Sequence, residues 1–404
     1  MKNAARFFAL ALLLTLAVPA QADDALDAIR DSHKNFKRIS LEWEAACNEA
    51  MDELRAAKGD AQIKAARENA TKVYRKAAQA QNRARDSFLD AFAKSDWNAW
   101  DTAKDAALLE DGFAELALRE FAKDPAQSVK AWEALLAKLP KCGYAAVARV
   151  VFLPLALGST GDLEAAIKRI TELARDARED DKPHLLMALG DTRALAGDLP
   201  GAQAEFRTAL KLIPAGVTEG SGAGQTRAGL ELRLKLVGQS APELDSKTWL
   251  GGEPKKLSEF AGSVVVLNFW ASYSTPCLNS LPALDDLCIA HLHEGLNVLA
   301  VTRAYEHGYV PEDMNDLRSG ARTGQLLQGL DEAAFTKHLW DFRERTKLSF
   351  PFVLGTLDDF SAYGATSLPT TFVVDKQGKV TFMASGGMRE HLVRIAAQRA
   401  LKAK

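Results

Sequence analysis

The sequence has few of the residues that mark special classes of protein. Four cysteines in 404 residues are too few for a small fold held together by disulfide bridges. Only 14 prolines and 27 glycines are present, which excludes a collagen or a chain disordered by composition. The 51 basic and 53 acidic residues nearly cancel, so a formal net charge of -2 gives no global attraction to nucleic acid. The length predicts two or three domains, because one core rarely exceeds about 250–300 residues.

Long hydrophobic runs are also missing, with one exception at the N-terminus. Lys2 and Arg6 precede an apolar run from Phe7 to Val18, and Ala20-Gln21-Ala22 follows as a small-x-small pattern. These are the parts of a secretory signal peptide, and the run is too short to span a bilayer core of ~30 Å comfortably. We predict a signal peptide at residues 1–22, rather than an uncleaved anchor. The mature protein is then periplasmic or secreted, with no stable membrane anchor.

Residues 24–100 contain no proline and are rich in Ala, Lys, Glu, Arg and Gln. Such a composition favours long helices, and the break at Lys58-Gly59-Asp60 predicts a hairpin. We predict a helical arm over residues 23–104. Its charged faces suit either a solvated scaffold or a binding surface.

A weak internal repeat follows the arm. Gly161-Asp162 and Gly197-Asp198 lie 36 residues apart, close to the period of about 34 residues in tetratricopeptide (TPR) repeats. The apolar residues in register are Ala166 with Ala202 and Ile170 with Phe206. This region resembles TPR units, and we predict TPR-like helical repeats over residues 105–235. They would either space the C-terminal domain or form a peptide-binding groove.

Beyond a glycine-rich linker at residues 220–224, the pattern changes to alternating strands and helices. Short apolar runs predict strands at 264–270, 296–302, 350–354, 370–375 and 380–384, and helical patterns cover 331–346 and 390–402. The first two strands should be parallel, so that both end at the sheet edge where such folds bind ligands. Residues 303–329 are longer than an ordinary connection. We predict that Tyr305, His307 and Tyr309 cover a site there, the alternative being a surface excursion without contact.

Four stretches in this last region match one family. They are Gly238-Gln-Ser-Ala-Pro242, Leu257-Ser-Glu-Phe-Ala-Gly262, Asn268-Phe-Trp-Ala271 and Tyr363-Gly-Ala-Thr-Ser-Leu-Pro369-Thr-Thr-Phe372. Residues 238–404 therefore resemble the TlpA/ResA-type redoxins, extracytoplasmic proteins of thioredoxin fold that exchange thiols and disulfides. The resemblance implies a Trp-Cys-x-x-Cys motif beside a cis-proline, for which Pro369 has the expected position. The chain is then multidomain, with an α-helical arm and TPR-like repeats followed by an α/β thioredoxin fold.

The motif departs from the family pattern. Tyr273 and Ser274 stand where the family has tryptophan and the attacking cysteine, so that only the second cysteine, Cys277, remains. A serine hydroxyl without an adjacent base is not ionised at neutral pH, which makes the ordinary two-cysteine cycle unavailable. Asn268 and Ser280 occupy positions where relatives carry an acid. The resemblance thus implies a thiol-disulfide oxidoreductase site that is impaired or repurposed for binding.

Three hypotheses for function remain open. A protein or peptide partner could bind through the repeats or a groove near Pro369. Alternatively, Cys277 could exchange disulfides with an external thiol. It could also act as a one-cysteine peroxidase, because peroxiredoxins place Thr or Ser three residues before a reactive cysteine, and a helix N-terminus favours a thiolate. Against the peroxidase, Trp270 replaces the proline of the peroxiredoxin loop, and no arginine lies near Pro369 in the sequence.

The other cysteines give no further site. Cys288 follows Cys277 by 11 residues, about 16 Å along a helix, which is beyond the ~7 Å Cα limit for a disulfide. Cys47 and Cys142 are candidates for a structural bridge. Cys288, His291 and His293 lack an evident fourth ligand, so we predict no metal and no cofactor.

Overall fold

The structure, a computed structural model, describes residues 18–320 and 322–403. Most of the predicted signal peptide at residues 1–22 lies outside this range, and its last five residues begin the first helix. Within the described ranges, no helix is both long enough and apolar enough to cross a membrane.

The described chain divides into two compact units. One comprises residues up to Glu120 together with Lys130–Ala146, and the other comprises Phe121–Val129 together with the residues from Val147 onward. The division falls inside the predicted repeat region, so helices after Val147 share a unit with the α/β domain. The predicted domain borders near residues 104 and 235 stay predictions.

The smaller unit is built on the predicted helical hairpin. Its helices are α1 (Val18–Ala56), α2 (Asp60–Lys94), α3 (Ala106–Phe121) and the greater part of α4 (Pro125–Lys138), with a 3₁₀ turn at Trp97–Ala99. Gly59 turns the chain between α1 and α2 at a φ of 79°, a conformation that favours glycine. The Arg30 guanidinium on α1 donates two hydrogen bonds of 2.9 Å to the buried Asp105 carboxylate, which holds the start of α3 against α1.

Five more helices occupy the first part of the larger unit. They are α5 (Leu153–Ser159), α6 (Leu163–Arg175), α7 (Lys182–Leu195), α8 (Leu199–Lys211) and α9 (Gly222–Leu236). A one-turn helix at Ala145–Val147 and a π-helical turn at Ala148–Phe152 precede α5. The Asp162 and Asp198 side chains cap α6 and α8 by accepting hydrogen bonds from backbone amides at 3.1 and 2.9 Å. The helices agree with the predicted spacing, and their grouping as TPR units stays a prediction.

Gly190 allows α7 and α8 to pack closely. A Cβ atom at this position would lie 2.3 Å from Cε1 of the fully buried Phe206. Gly190→Ala is therefore expected to lower the free energy of unfolding by about 1–3 kcal/mol through overpacking. Gly229→Ala, in the interior of α9, is the matched control, because its added Cβ would meet nothing closer than 3.4 Å. Urea unfolding of both variants tests this, and equal stability of the two would contradict the packing argument.

The second part of the larger unit is the α/β domain. A six-stranded sheet has the order β1-β6-β3-β2-β7-β8. The strands are β1 (Thr248–Leu250), β2 (Val264–Phe269), β3 (Leu296–Thr302), β6 (Phe352–Leu354), β7 (Thr370–Val374) and β8 (Val380–Ser385). Strands β2, β3 and β6 are parallel, which confirms the expected pairing, whereas β1, β7 and β8 run antiparallel to their neighbours. All six residues of β2 are buried, as expected for a strand at the centre of a covered sheet.

The remaining elements connect these strands. The helices are α10 (Thr275–His291), α11 (Met314–Ser319), α12 (Glu332–Thr346), α13 (Leu357–Ala362) and α14 (Glu390–Lys402), with 3₁₀ turns at Leu257–Phe260 and Leu292–Glu294. Residues 303–329 also hold a hairpin of β4 (His307–Val310) and β5 (Gln325–Gln328). The sequence pattern did not indicate this hairpin, because each strand has only four residues and carries polar side chains.

Candidate functional site

The motif loop leaves the central strand and enters a helix. Strand β2 ends at Phe269, and α10 begins at Thr275, with Ser274 at its N-cap position. Trp270 anchors the start of the loop, since it is fully buried with its ring centroid 5.0 Å from that of Phe352. The Trp270 amide also donates to the Val301 carbonyl at 2.9 Å. Strand pairing and aromatic packing thus fix where the motif lies.

Cys277 lies in the first turn of α10 and is 0% exposed. Burial raises the pKa of its thiol above the ordinary value, although hydrogen bonding with the Ser274 side chain and the Ala271 backbone opposes the shift. The loss of hydration therefore outweighs these two hydrogen bonds, which favour a thiolate. Cys277 is a protonated thiol at neutral pH, and it is closed to solvent.

Asn268 and Ser280 occupy the two positions where the resemblance implies an acid, and both side chains are neutral and hydrogen-bonded to groups other than the Cys277 thiol. The Asn268 Oδ1 atom accepts a hydrogen bond from the Thr371 hydroxyl at 2.9 Å, while its buried Nδ2 atom has no partner among the described residues. The Ser280 hydroxyl donates to the Cys277 carbonyl at 2.8 Å. Neither side chain can take a proton from Cys277 as a carboxylate would.

Pro369 meets the motif at the same edge of the sheet. The Leu368–Pro369 peptide bond is cis, and the next residue, Thr370, pairs with Phe269 at the end of β2. The Leu368 amide and carbonyl form no hydrogen bond within the described part of the chain. Fold and register therefore bring Pro369 beside the loop of Ser274 and Cys277, with an unpaired stretch of backbone next to it.

Of the three aromatic side chains predicted to cover the motif, Tyr305 does so. Its ring packs edge-on against Tyr273, with the two ring centroids 5.1 Å apart. The Arg303 guanidinium also contacts the Tyr305 ring, 4.5 Å from its centroid. Burial raises the pKa of Tyr305 to about 12, against the opposing effect of Arg303. Tyr273 itself is 44% exposed, so that an aromatic surface remains open at the motif.

The prediction is wrong for His307 and Tyr309. His307 is exposed in β4, where it pairs with Gln328. Tyr309 is buried within the excursion, and its hydroxyl donates to Asp316, a carboxylate that also accepts hydrogen bonds from neighbouring backbone amides. Both side chains belong to the β4–β5 hairpin and contact it or solvent rather than the motif.

The excursion nevertheless reaches the motif helix through its arginines. The Arg322 guanidinium donates to the Asn279 side chain, two residues after Cys277. Arg318 forms two hydrogen bonds with the Asp286 carboxylate, at 2.6 and 3.0 Å. Residues 303–329 are therefore attached to α10 along two of its turns.

His338 is a residue of this site that the sequence reasoning missed. From α12, its Nε2 atom lies 2.8 Å from the Ser272 hydroxyl in the motif loop, and both side chains are buried. Burial lowers the pKa of His338 from 6.5 to about 4, so the ring is neutral. A Cβ at Gly308 would lie 2.7 Å from that same nitrogen, so only glycine fits against the ring at this position. A lone histidine in a helical pattern gives no indication of such a contact.

All four cysteines are free in the structure. The expectation that Cys277 and Cys288 do not pair is confirmed, whereas the bridge considered between Cys47 and Cys142 is not formed. No group of three or more metal-ligating side chains occurs in the described ranges, and this includes the neighbourhood of Cys288, His291 and His293.

Comparison with known proteins places the C-terminal part in a family. Residues 236–399 match the family model described as Redoxin. The C-terminal part of this chain is a redoxin domain. It is homologous to thiol-disulfide oxidoreductases of the ResA type. The chain is 29% identical over 165 residues to ResA of Geobacillus thermodenitrificans, covering 39% of this chain and 78% of that protein. ResA of Geobacillus kaustophilus is also 29% identical, over 153 residues, covering 38% of this chain and 71% of that protein.

Among solved structures, the redoxin domain matches a protein from Chlorobium tepidum described as a putative thiol:disulfide interchange protein DsbE. The two are 25% identical, and the alignment covers 41% of this chain and 97% of that chain with a TM-score of 0.29.

Proposed function

We propose that this protein is periplasmic and that its redoxin domain has lost the dithiol cycle. The domain instead binds an extended segment of a protein partner at the motif. One observation carries the proposal. The single motif thiol, Cys277, is fully buried, has a raised pKa and has no second cysteine bonded to it. A nucleophile in thiol-disulfide exchange must be an accessible thiolate, and the half-buried Ser274 at the attacking position cannot supply one.

The open groups around the motif suit binding of a polypeptide. The Leu368 amide and carbonyl are unpaired next to Pro369, and an extended chain can satisfy both by pairing as a strand does. Tyr273 offers an exposed aromatic ring that Tyr305 supports from the side. The backbone would supply affinity without regard to sequence, and the ring would favour an apolar side chain.

The N-terminal pattern supports the periplasmic location. Lys2 and Arg6, the apolar run and Ala20-Gln21-Ala22 form the arrangement that export machinery recognises. N-terminal sequencing of the protein recovered from a periplasmic extract tests this, with Asp23 expected as the first residue. A chain that starts at Met1 in the cytosol would contradict it.

Thiol reactivity tests the loss of redox chemistry. In a Cys47→Ser/Cys142→Ser background only the two buried thiols, Cys277 and Cys288, remain. We expect both to react with a chromogenic disulfide only on unfolding, and the native wild-type chain to leave insulin disulfides intact. Rapid native reaction at Cys277 with oxidised glutathione would instead favour the monothiol enzyme. Rapid oxidation by peroxide would favour the peroxidase.

Peptide binding tests the proposed role itself. We expect cysteine-free extended peptides selected on the immobilised protein to lose affinity for Tyr273→Ala. Tyr74→Ala is the matched control, because Tyr74 is similarly exposed, at 57%, in the helical arm. Equal binding by the two variants would contradict a site at the motif.

A further inference from the structure

A cavity of about 120 Å³ lies within the larger unit, and its wall includes neither Ser274, Cys277 nor Pro369. Helices α5, α7 and α9 and the turn before α5 line one side, while β8 and the start of α14 line the other. Its walls are mostly apolar, with Leu155, Met187 and Phe382 among them. The cavity therefore lies between helices of the predicted repeat region and the redoxin domain.

Most polar groups in the wall already have partners. Arg233 donates from Nε and Nη2 to the two carboxylate oxygens of Asp191, at 2.6 and 2.8 Å, and from Nη1 to the Gly229 carbonyl at 3.1 Å. The Thr192 hydroxyl donates to the Ala188 carbonyl at 2.8 Å. The charges of Arg233 and Asp191 thus compensate each other through a bidentate pair.

Arg389 is the exception. It lies just before α14 and lines the cavity, yet its guanidinium has no hydrogen bond or ion pair with any described residue. Burial lowers the pKa of Arg389 and the nearby charge of Arg233 adds to this shift, whereas Asp191 and Glu390 oppose it. The adjacent Glu390 carboxylate attracts the guanidinium electrostatically but forms no hydrogen bond or ion pair with it, because its hydrogen bonds go to backbone amides. Arg389 is half-buried and its N–H donors have no acceptor among the described residues, so an anion entering the cavity could accept from them.

We propose that this cavity binds a small monocarboxylate with a short apolar chain, whose carboxylate pairs with Arg389. A guanidinium presents two parallel N–H donors that match a carboxylate. The cavity volume equals that of about four water molecules at ~30 Å³ each, which suits a short-chain acid. A phosphate dianion fits less well, since one guanidinium would leave a second charge uncompensated among apolar walls.

Butyrate is a suitable probe, and butyramide is its neutral isostere. Calorimetric titration of the full mature chain at constant ionic strength should show binding of butyrate, with butyramide and chloride inert. Arg389→Gln should weaken butyrate binding roughly tenfold to a hundredfold, the range expected for losing a charged hydrogen-bonded partner. Arg394→Gln, which changes an exposed arginine on the same helix, should bind like the wild type.

A second variant separates loss of the site from loss of the fold. Ala188→Leu keeps the Arg389 guanidinium and fills the cavity from the α7 wall, so it should also abolish binding while circular dichroism stays unchanged. Butyrate binding retained by Ala188→Leu or by Arg389→Gln would overturn the proposal. Equal binding of butyrate and butyramide, or no binding by the wild type, would overturn it as well. None of these outcomes depends on peptide binding at the motif.

Discussion

Ser274→Cys is expected to form a disulfide with Cys277 under mild oxidation, and yet to reduce insulin only slowly. Ser274 at the N-cap of α10 lies three residues before Cys277, close enough that its side chain lowers the pKa of the Cys277 thiol. Four native cysteines and the new one give five thiols, of which oxidation should remove two. Thiol counting by alkylation and mass spectrometry measures this. Ser258→Cys, which adds a thiol at an exposed position elsewhere, should retain all five.

The slow step should be the resolution of the mixed disulfide. Cys277 must lose its proton to attack, but burial raises the pKa of its thiol, and Asn268 and Ser280 offer no carboxylate. Adding Ser280→Glu to Ser274→Cys places a base one helical turn from Cys277. The rate of insulin reduction should then rise about tenfold or more, at the lower end of what a positioned base contributes.

The matched control adds the same charge on another face of the helix. Ser274→Cys/Asn279→Glu changes an exposed residue next to Ser280, and it should remain as slow as the single variant. If the wild-type chain already reduces insulin as fast as the double variant with Ser280→Glu, the loss of the dithiol cycle is refuted.

The larger unit is expected to lose roughly 3 kcal/mol of stability through His338 when the pH falls from 6.5 to 4. Burial lowers the pKa of His338 from 6.5 to about 4 in the folded chain. Between these values the unfolded chain binds a proton that the folded chain does not, so acid favours unfolding. Each pKa unit corresponds to about 1.4 kcal/mol, which gives the expected size.

Urea unfolding at pH 8 and pH 4.5 measures the effect in wild type and in His338→Gln. In His338→Gln, the difference in the free energy of unfolding between pH 8 and pH 4.5 should be smaller than in wild type by most of the contribution expected from His338. His307→Gln changes an exposed histidine on the nearby hairpin, and its pH dependence should follow the wild type. The pKa of His184 and that of His391 are also lowered by burial, but both remain in every variant and cancel in the comparison. An NMR titration that places the His338 pKa near 6.5 would contradict the assignment.

Much of the α/β domain could be predicted from local pattern. The apolar β-branched run at Val264–Phe269 and its parallel partner Leu296–Thr302 were found almost to the residue, because a buried central strand needs such a run. The hairpin around Gly59 followed from helix composition and one break. The β4–β5 hairpin was missed, since four-residue polar strands resemble a loop.

The candidate site was predicted only where the motif itself indicated it. Ser274, Cys277 and Pro369 meet at one edge because strand order alone places them there. His338 lies 66 residues from Ser272, and no local pattern relates the two. Arg389 could not be predicted for the same reason. The residues that line the cavity beside it are distant in the sequence, so no local pattern indicates that it lacks a partner.

By itself, the sequence determined five of the six strands of the main sheet and the presence of one motif thiol, and its short motifs carried the resemblance that implies a thioredoxin fold. These depend on residue type and periodicity, which are local. Only the tertiary structure decided that the Cys277 thiol is protonated, that Tyr305 rather than His307 or Tyr309 covers the motif, and that Arg389 faces a cavity. Each of these depends on burial by residues distant in the chain, because desolvation and contact arise only when separate elements pack together.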